Sequence, residues 1–199
     1  MSEAKVDPGR RTWIAITCGA GAVGGAAVAV PFISSFAPSE RAKAAGAPVQ
    51  ADISGLRPGE KMTVEWRGKP VWIVRRTEEQ LASLKLTEPL VADPFSKRNP
   101  SELTPEYARN VPRSIKPEVF VAVGICSHLG CSPTDKFNPG PQPSLPDDWH
   151  GGFFCPCHGS TFDMAGRVFK NKPAPDNLEV PRHMYLSDTT LLIGEDSKG

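Results

Sequence analysis

The sequence predicts a mainly β domain of antiparallel sheet, carrying a small loop-built metal-binding subdomain and preceded by one N-terminal transmembrane helix. Three observations carry that prediction. No charged residue occurs between Arg11 and Glu40. From Val49 onward, short runs rich in β-branched and aromatic residues alternate with turn residues. Four of the five cysteines fall inside two short Cys/His motifs, which points to a site more than to a general disulfide framework.

A chain of 199 residues with 39% hydrophobic content supports one globular domain with a real core plus an appendage. Its formal net charge of +1, with no long basic stripe, excludes a nucleic-acid binder working through phosphate contacts.

The uncharged run TWIAITCGAGAVGGAAVAVPFISSFAPS is long enough to cross a bilayer as a helix of about 20 residues. A cleaved signal peptide usually has an apolar region of only about 7–15 residues, so a retained span over residues 12–36 is expected. Gly21 and Gly25 form a small-xxx-small pattern that would let another membrane helix approach closely. Cys18 lies in this run and reads as a small hydrophobe. Arg10 and Arg11, just before it, look like a twin-arginine export signal. The positive-inside tendency then leaves residues 1–11 cytoplasmic and everything after Phe36 on the far side, a compartment that permits disulfides.

Residues 37–48, small and polar and punctuated by Pro38, Gly46 and Pro48, read as a flexible tether. A dozen extended residues reach about 40 Å. The globular domain is expected over 49–199. KMTVEW, a turn at RGKP and VWIVRRT predict a hairpin. Thr77 and Gln80 make a capping box ahead of a short helix. EVFVAVG, from Glu118, predicts a strand that runs straight into the first motif. The segment 132–153 holds five prolines, which argue against any regular element there. FFCPCHGSTFDMAGRVF alternates around a Gly166 turn, and HMYLSDTTLLIG predicts a last hairpin.

The first motif is CSHLGC, Cys126 to Cys131, and the second is CPCHGS, Cys155 to Ser160. Cys126, His128, Cys155 and His158 together offer two thiolates and two imidazoles, a complete four-ligand metal set for which zinc is the plain candidate. Each motif also carries an additional cysteine, Cys131 and Cys157, and in an oxidising compartment these two could cross-link the loops. His150 and His183 lie outside both motifs, where solvent-facing or packed roles are expected.

The pair of motifs resembles the Rieske [2Fe–2S] proteins, whose loops read C-x-H-x-G-C and C-x-C-H-G-S. The resemblance implies a Rieske-type antiparallel β domain with a cluster-binding subdomain at about 124–175, holding one [2Fe–2S] cluster. It implies that Cys126 and Cys155 bind one iron, that His128 and His158 bind the other, and that Cys131 and Cys157 form a disulfide clamping the loops. Replacing two thiolates by neutral imidazoles removes two negative charges from the oxidised cluster, so an electron is easier to add. Reduction makes the second ring nitrogen of each imidazole more basic, which couples electron uptake to proton uptake. Ser160 matches the family serine whose hydroxyl donates to a bridging sulfide. Phe162 stands where many high-potential relatives carry a tyrosine that bonds a cysteine sulfur, which implies a somewhat lower potential here. KPAPDNLEVP resembles the segment that shields the cluster, with Pro173, Ala174 and Pro175 matching its core and Lys172 in place of the usual glycine. Leu129 is expected at an exposed tip that docks against a membrane partner.

Twin arginines, span, tether, sheet, both loops and the proline segment occur in the order similar to that of iron–sulfur subunits of cytochrome bc1 complexes. That resemblance implies quinol–cytochrome c reductase activity as one subunit of a dimeric complex with cytochrome b and cytochrome c1. The cluster would take an electron from quinol with His158 as the quinol-contacting ligand, then pass it to a c-type haem. It places the chain in the inner membrane with the globular domain on the periplasmic side. A Rieske subunit of a periplasmic molybdenum oxidase of the arsenite oxidase type is the alternative, against which the uninterrupted span and tether argue. A soluble ferredoxin fits less well, because such proteins generally lack the extra cysteine pair. A zinc module would be colourless.

Overall fold

The computed structural model describes residues 7–40, 46–98 and 103–197, in two compact units, Met1–Ala44 and Ala45–Gly199. The first is a helix, α1, Pro8–Ser35. It starts four residues ahead of the expected span because the local chemistry favours an early start. The Asp7 side chain accepts from Gly9 N at 2.9 Å and Pro8 occupies the first turn, where a missing N–H costs nothing. Arg10 and Arg11 are therefore helical. Pro31 lies inside the helix, which continues to Ser35. α1 is long and apolar enough to cross a membrane and buries none of its side chains; Cys18 is exposed on it. Of the expected tether, residues 41–45 lie outside the described residues.

Among its described residues the second unit holds nine strands and one α-helix of about three turns: β1 Val49–Asp52, β2 Lys61–Trp66, β3 Lys69–Arg75, α2 Glu78–Thr87, β4 Val119–Val123, β5 Thr134–Lys136, β6 Gly152–Cys155, β7 Ser160–Asp163, β8 His183–Ser187 and β9 Thr190–Ile193. They form three antiparallel three-stranded sheets, ordered β1-β9-β8, β2-β3-β4 and β5-β6-β7. The middle sheet, β2-β3-β4, is the one on which both cores are built. Successive strand residues point to opposite faces, so Val71, Ile73, Val119, Val121 and Val123 enter one apolar cluster with Ala51, Leu191 and Ile193. Trp72, Val74, Phe120 and Ala122 enter the other, with Phe153, Phe162, Cys126 and Cys155. A strand buried on both faces reads as a continuous apolar run, as PVWIV and VFVAV do. The second core thus seats the two Cys/His loops on the middle sheet.

The expected hairpins are present, with Arg67 and Gly68 turning β2 into β3 and with β8 paired to β9. α2 begins at the expected box: the Thr77 hydroxyl accepts from Gln80 N at 3.2 Å and the Gln80 side chain accepts from Thr77 N at 3.0 Å. The expectation that residues 132–153 hold no regular element is corrected. Thr134–Lys136 is a strand paired with Phe154, Phe153 and Gly152. It fits between Pro133 and Pro139 at a sheet edge, where a proline need donate to no neighbouring strand. After β7 the chain turns at Gly166, whose N–H donates to Asp163 O at 2.9 Å, and Val168 returns to bridge Phe162.

Candidate metal centre

The first motif begins three residues beyond β4. Cys126 N donates to Cys131 O at 2.8 Å and Gly130 N to Cys126 O at 3.1 Å, which folds CSHLGC into a tight loop. The second motif is itself the turn of a hairpin. Cys155 ends β6, Ser160 opens β7, and the two are cross-strand partners. Gly159, at φ +76°, takes a left-handed conformation that only glycine adopts freely and donates to Cys155 O at 3.0 Å. Close approach of β6 and β7 is enforced at Gly152, where a Cβ would lie 2.0 Å from Phe162 O.

The two loops meet. Cys131 and Cys157 form the disulfide, with Cα atoms 6.7 Å apart. The His128 and His158 rings lie 4.7 Å apart between centroids and perpendicular. Cys126 and Cys155 are free and buried, and their sulfurs are close enough to influence each other. The sulfurs of Cys131, Cys155 and Cys157 fall within 4.8 Å of one another, but the disulfide uses up two of these, leaving Cys155 as the free thiol of that group. His158 is exposed and His128 half-buried.

These residues fit a metal group on two observations. His128 Nδ1 is buried with no hydrogen-bond partner, a costly arrangement unless something occupies its lone pair. Burial also pushes the Cys126 thiol up, against hydrogen bonds from the His128 backbone and the Ser160 hydroxyl and with help from the Cys155 sulfur. Two free buried sulfurs side by side suit a cation, which would compensate the charge of their ionised form.

The proline segment covers the loops by hydrogen bonds from its backbone. Ala174 N donates to Ser160 Oγ at 3.0 Å, and Ser127 Oγ donates to Asp176 O at 2.7 Å. Ala174 is buried, whereas Pro173, Pro175 and Lys172 are exposed. Leu129 is 71% exposed at the loop tip. His150 is half-buried, and His183 is buried against Tyr107.

Residues 100–182 match the family model described as Rieske [2Fe-2S] domain, and residues 1–39 match the one described as "Ubiquitinol-cytochrome C reductase Fe-S subunit TAT signal". The ubiquinol-cytochrome c reductase iron-sulfur subunit of Allochromatium vinosum is 58% identical, covering 94% of this chain and 88% of its own. The chain belongs to the Rieske iron–sulfur subunit family. Subunits bearing the same name in Bradyrhizobium diazoefficiens and Blastochloris viridis are 39% and 41% identical; they cover 94% and 89% of this chain and 95% and 88% of their own. The cofactor of this Rieske domain is accordingly a [2Fe–2S] cluster.

Beneath the Rieske loops lies a layer that the sequence reading did not find. Arg76, Arg113 and Arg167 are buried, together with Asp163 and Asp93. Arg167 pairs with Asp163 at 2.7 Å. Arg76 donates to Met164 O at 3.1 Å, and Arg113 to Ala165 O at 2.9 Å. Burial pulls Arg76 down to about 9 and Arg113 to about 10, both still charged at neutral pH. No periodicity marks Arg76 or Arg113 as buried, because most of their partners are carbonyls and hydroxyls distant in sequence.

Proposed function

We propose that this chain is the electron-carrying subunit of a quinol:cytochrome c oxidoreductase, in which Cys126 and Cys155 hold one iron of the cluster and His128 and His158 hold the other. The observation that carries this reading is the meeting of two free buried thiols with two imidazoles, one having its buried Nδ1 unpaired. Likeness to ubiquinol-cytochrome c reductase iron-sulfur subunits over almost the whole chain supports the same reading. When bound, the cluster supplies a one-electron acceptor whose charge is less negative than that of an all-thiolate cluster.

The surrounding residues supply the rest of the chemistry. His158, exposed, presents its outer ring nitrogen to a quinol hydroxyl, accepts its hydrogen bond and takes up its proton. His128 is held lower and half-buried. The Ser160 hydroxyl, which accepts from Ala174 N at 3.0 Å, keeps its own hydrogen for donation into the cluster site, where it would stabilise added negative charge. Leu129 and Pro173, exposed at the tip, make the apolar contact with cytochrome b around the quinol. Cytochrome c1 receives the electron when the tether, residues 37–48, lets the domain move, and the complex is dimeric. The α1 span anchors the chain in the inner membrane with the Rieske domain on the periplasmic side.

Electron paramagnetic resonance on dithionite-reduced membranes tests this proposal. A Rieske-type signal that changes when a quinol-site inhibitor is added is expected. Reduced membranes without such a signal, or with one indifferent to the inhibitor, would remove respectively the ligand set or the quinol partner. Proline substitutions that stiffen residues 37–48 should slow turnover without altering the midpoint potential.

A further inference from the structure

Arg113 is a residue with unusual standing in this fold. It is completely buried, and its backbone lies at φ +50°, a left-handed conformation unfavourable for a side chain with a Cβ. A guanidinium has five N–H donors, and all five are used. Nε donates to Ser96 Oγ at 2.7 Å. Nη1 donates to Ala165 O at 2.9 Å and Gly166 O at 3.3 Å. Nη2 donates to Thr104 Oγ1 at 2.8 Å and Leu178 O at 2.7 Å.

Two of those acceptor segments matter to the cluster site. Ala165 and Gly166 end the stretch that begins at Ser160, and Leu178 ends the stretch that begins at the shielding residues Pro173 and Ala174. At their outer ends these stretches meet where Ala174 N donates to Ser160 Oγ at 3.0 Å. Just past Gly166, Val168 N donates to Asn177 Oδ1 at 2.9 Å, one residue before Leu178. At their inner ends Leu178 N donates to Gly166 O at 2.9 Å, and Arg113 bonds both residues at once. Gly166 has no room for a side chain, since a Cβ there would lie 2.8 Å from Phe120 and 3.3 Å from Arg113 Nη1.

We propose that Arg113 is a positioning residue for Ser160: it fixes the register of the shielding segment against β7, so that the Ala174 N–H occupies one lone pair of Ser160 Oγ and the hydroxyl hydrogen is left to donate into the cluster site. This rests on the reading of Cys126 as an iron ligand. A planar five-donor fork is needed, because an ammonium of equal charge cannot hold carbonyls from two directions in one plane. The left-handed backbone at Arg113 is the local cost of aiming the side chain inward.

The test is a double-mutant cycle on the cluster-loaded protein, read by midpoint potential and by hydrogen exchange at the Ala174 amide. Arg113→Lys retains the charge and loses the fork. It is expected to lower the midpoint and to speed Ala174 exchange several-fold, whereas in a Ser160→Ala background it should leave the midpoint where Ser160→Ala alone puts it. Should Arg113→Lys fail to fold, Thr104→Val, which removes one acceptor, should give a smaller shift in the same direction. A midpoint drop of equal size with and without Ser160, or faster Ala174 exchange with no drop, overturns the positioning role. Ser160→Ala that leaves the midpoint unchanged overturns the role of the hydroxyl itself, and a protein without iron when Cys126 is replaced is the separate check on the ligand set.

Discussion

The two cores on either face of the middle sheet are stabilised in different ways. On one face Ile53, Val71, Ile73, Val121, Leu191 and Ile193 interlock as an apolar cluster, where burial is non-directional and each side chain is one contributor among many. On the other face the apolar residues Phe120, Phe153 and Phe162 share their space with two free thiols, and the loops are held by directional contacts: the Cys131–Cys157 disulfide, the Ser127 and Ser160 hydroxyls, and the buried guanidinia of Arg76, Arg113 and Arg167. Packing gives a rigid platform that tolerates small errors of volume. Directional contacts give atomic placement and tolerate none. The difference matches what each side must do, since ligand atoms need fixed positions and a platform needs only to stay folded.

The contrast can be broken experimentally, and the largest effect is expected at the buried ion pair. Asp163 accepts from Thr87 Oγ1 at 3.0 Å, Arg167 Nε at 2.8 Å and the backbone of Ala165 and Arg167. Asp163→Asn leaves the fully buried Arg167 charge uncompensated, and a loss of about 3–5 kcal/mol in urea unfolding is expected. A loss no larger than that of a surface substitution would mean that the tip does not depend on its polar contacts. Next, removing the disulfide with Cys131→Ala and Cys157→Ala opens a link between residues 26 apart and should cost about 2–4 kcal/mol. Iron should be released at a lower urea concentration than the β-sheet circular dichroism is lost. Simultaneous loss would show the two regions to be one cooperative unit.

On the platform side, Ile73→Val should cost only about 0.5–1.5 kcal/mol, with the midpoint potential of the cluster unmoved. A shift there as large as that of a tip variant would abolish the distinction between the regions.

The platform also contains a titrating group. His183, on β8, is buried; its Nδ1 faces Pro181 O at 2.8 Å, and its backbone N and O both bond the Tyr107 hydroxyl. Burial pulls its pKa below the ordinary 6.5, against opposing pulls from the Pro181 carbonyl and Asp196. The unfolded chain therefore binds this proton more readily than the native one. Stability from this group is complete above pH 6.5 and is lost as pH falls below that value toward the depressed native pKa. The thermal midpoint should decline over that window, and His183→Gln should flatten the decline. An unchanged pH profile would refute the assignment.

The subtlest change is Phe162→Tyr. Phe162 is fully buried in the same cluster as the Cys126 and Cys155 thiols, and a hydroxyl placed there can donate to a cysteine sulfur. A higher midpoint potential is expected, and an unchanged or lower one would count against it.

The sequence by itself determined the parts whose causes are local. An uncharged run sets the long N-terminal helix, a Thr/Gln pair three apart caps the short α2, alternation sets hairpins, and Cys and His spaced within six residues mark where the two loops meet. These depend on near neighbours, so spacing reveals them. It erred at Thr134–Lys136, where prolines suggested a loop and the exposed sheet edge accepted a short strand.

Tertiary structure alone decided which strands pair at distance, as β1 does with β9, which face of β3 each core takes, and what lies under the cluster loops. Arg113 reaches acceptors 52 and 65 residues away, and every one of them is a backbone carbonyl or a hydroxyl. Such groups occur at nearly every position, so no residue type marks them in advance, and only the folded chain selects which five converge on one guanidinium.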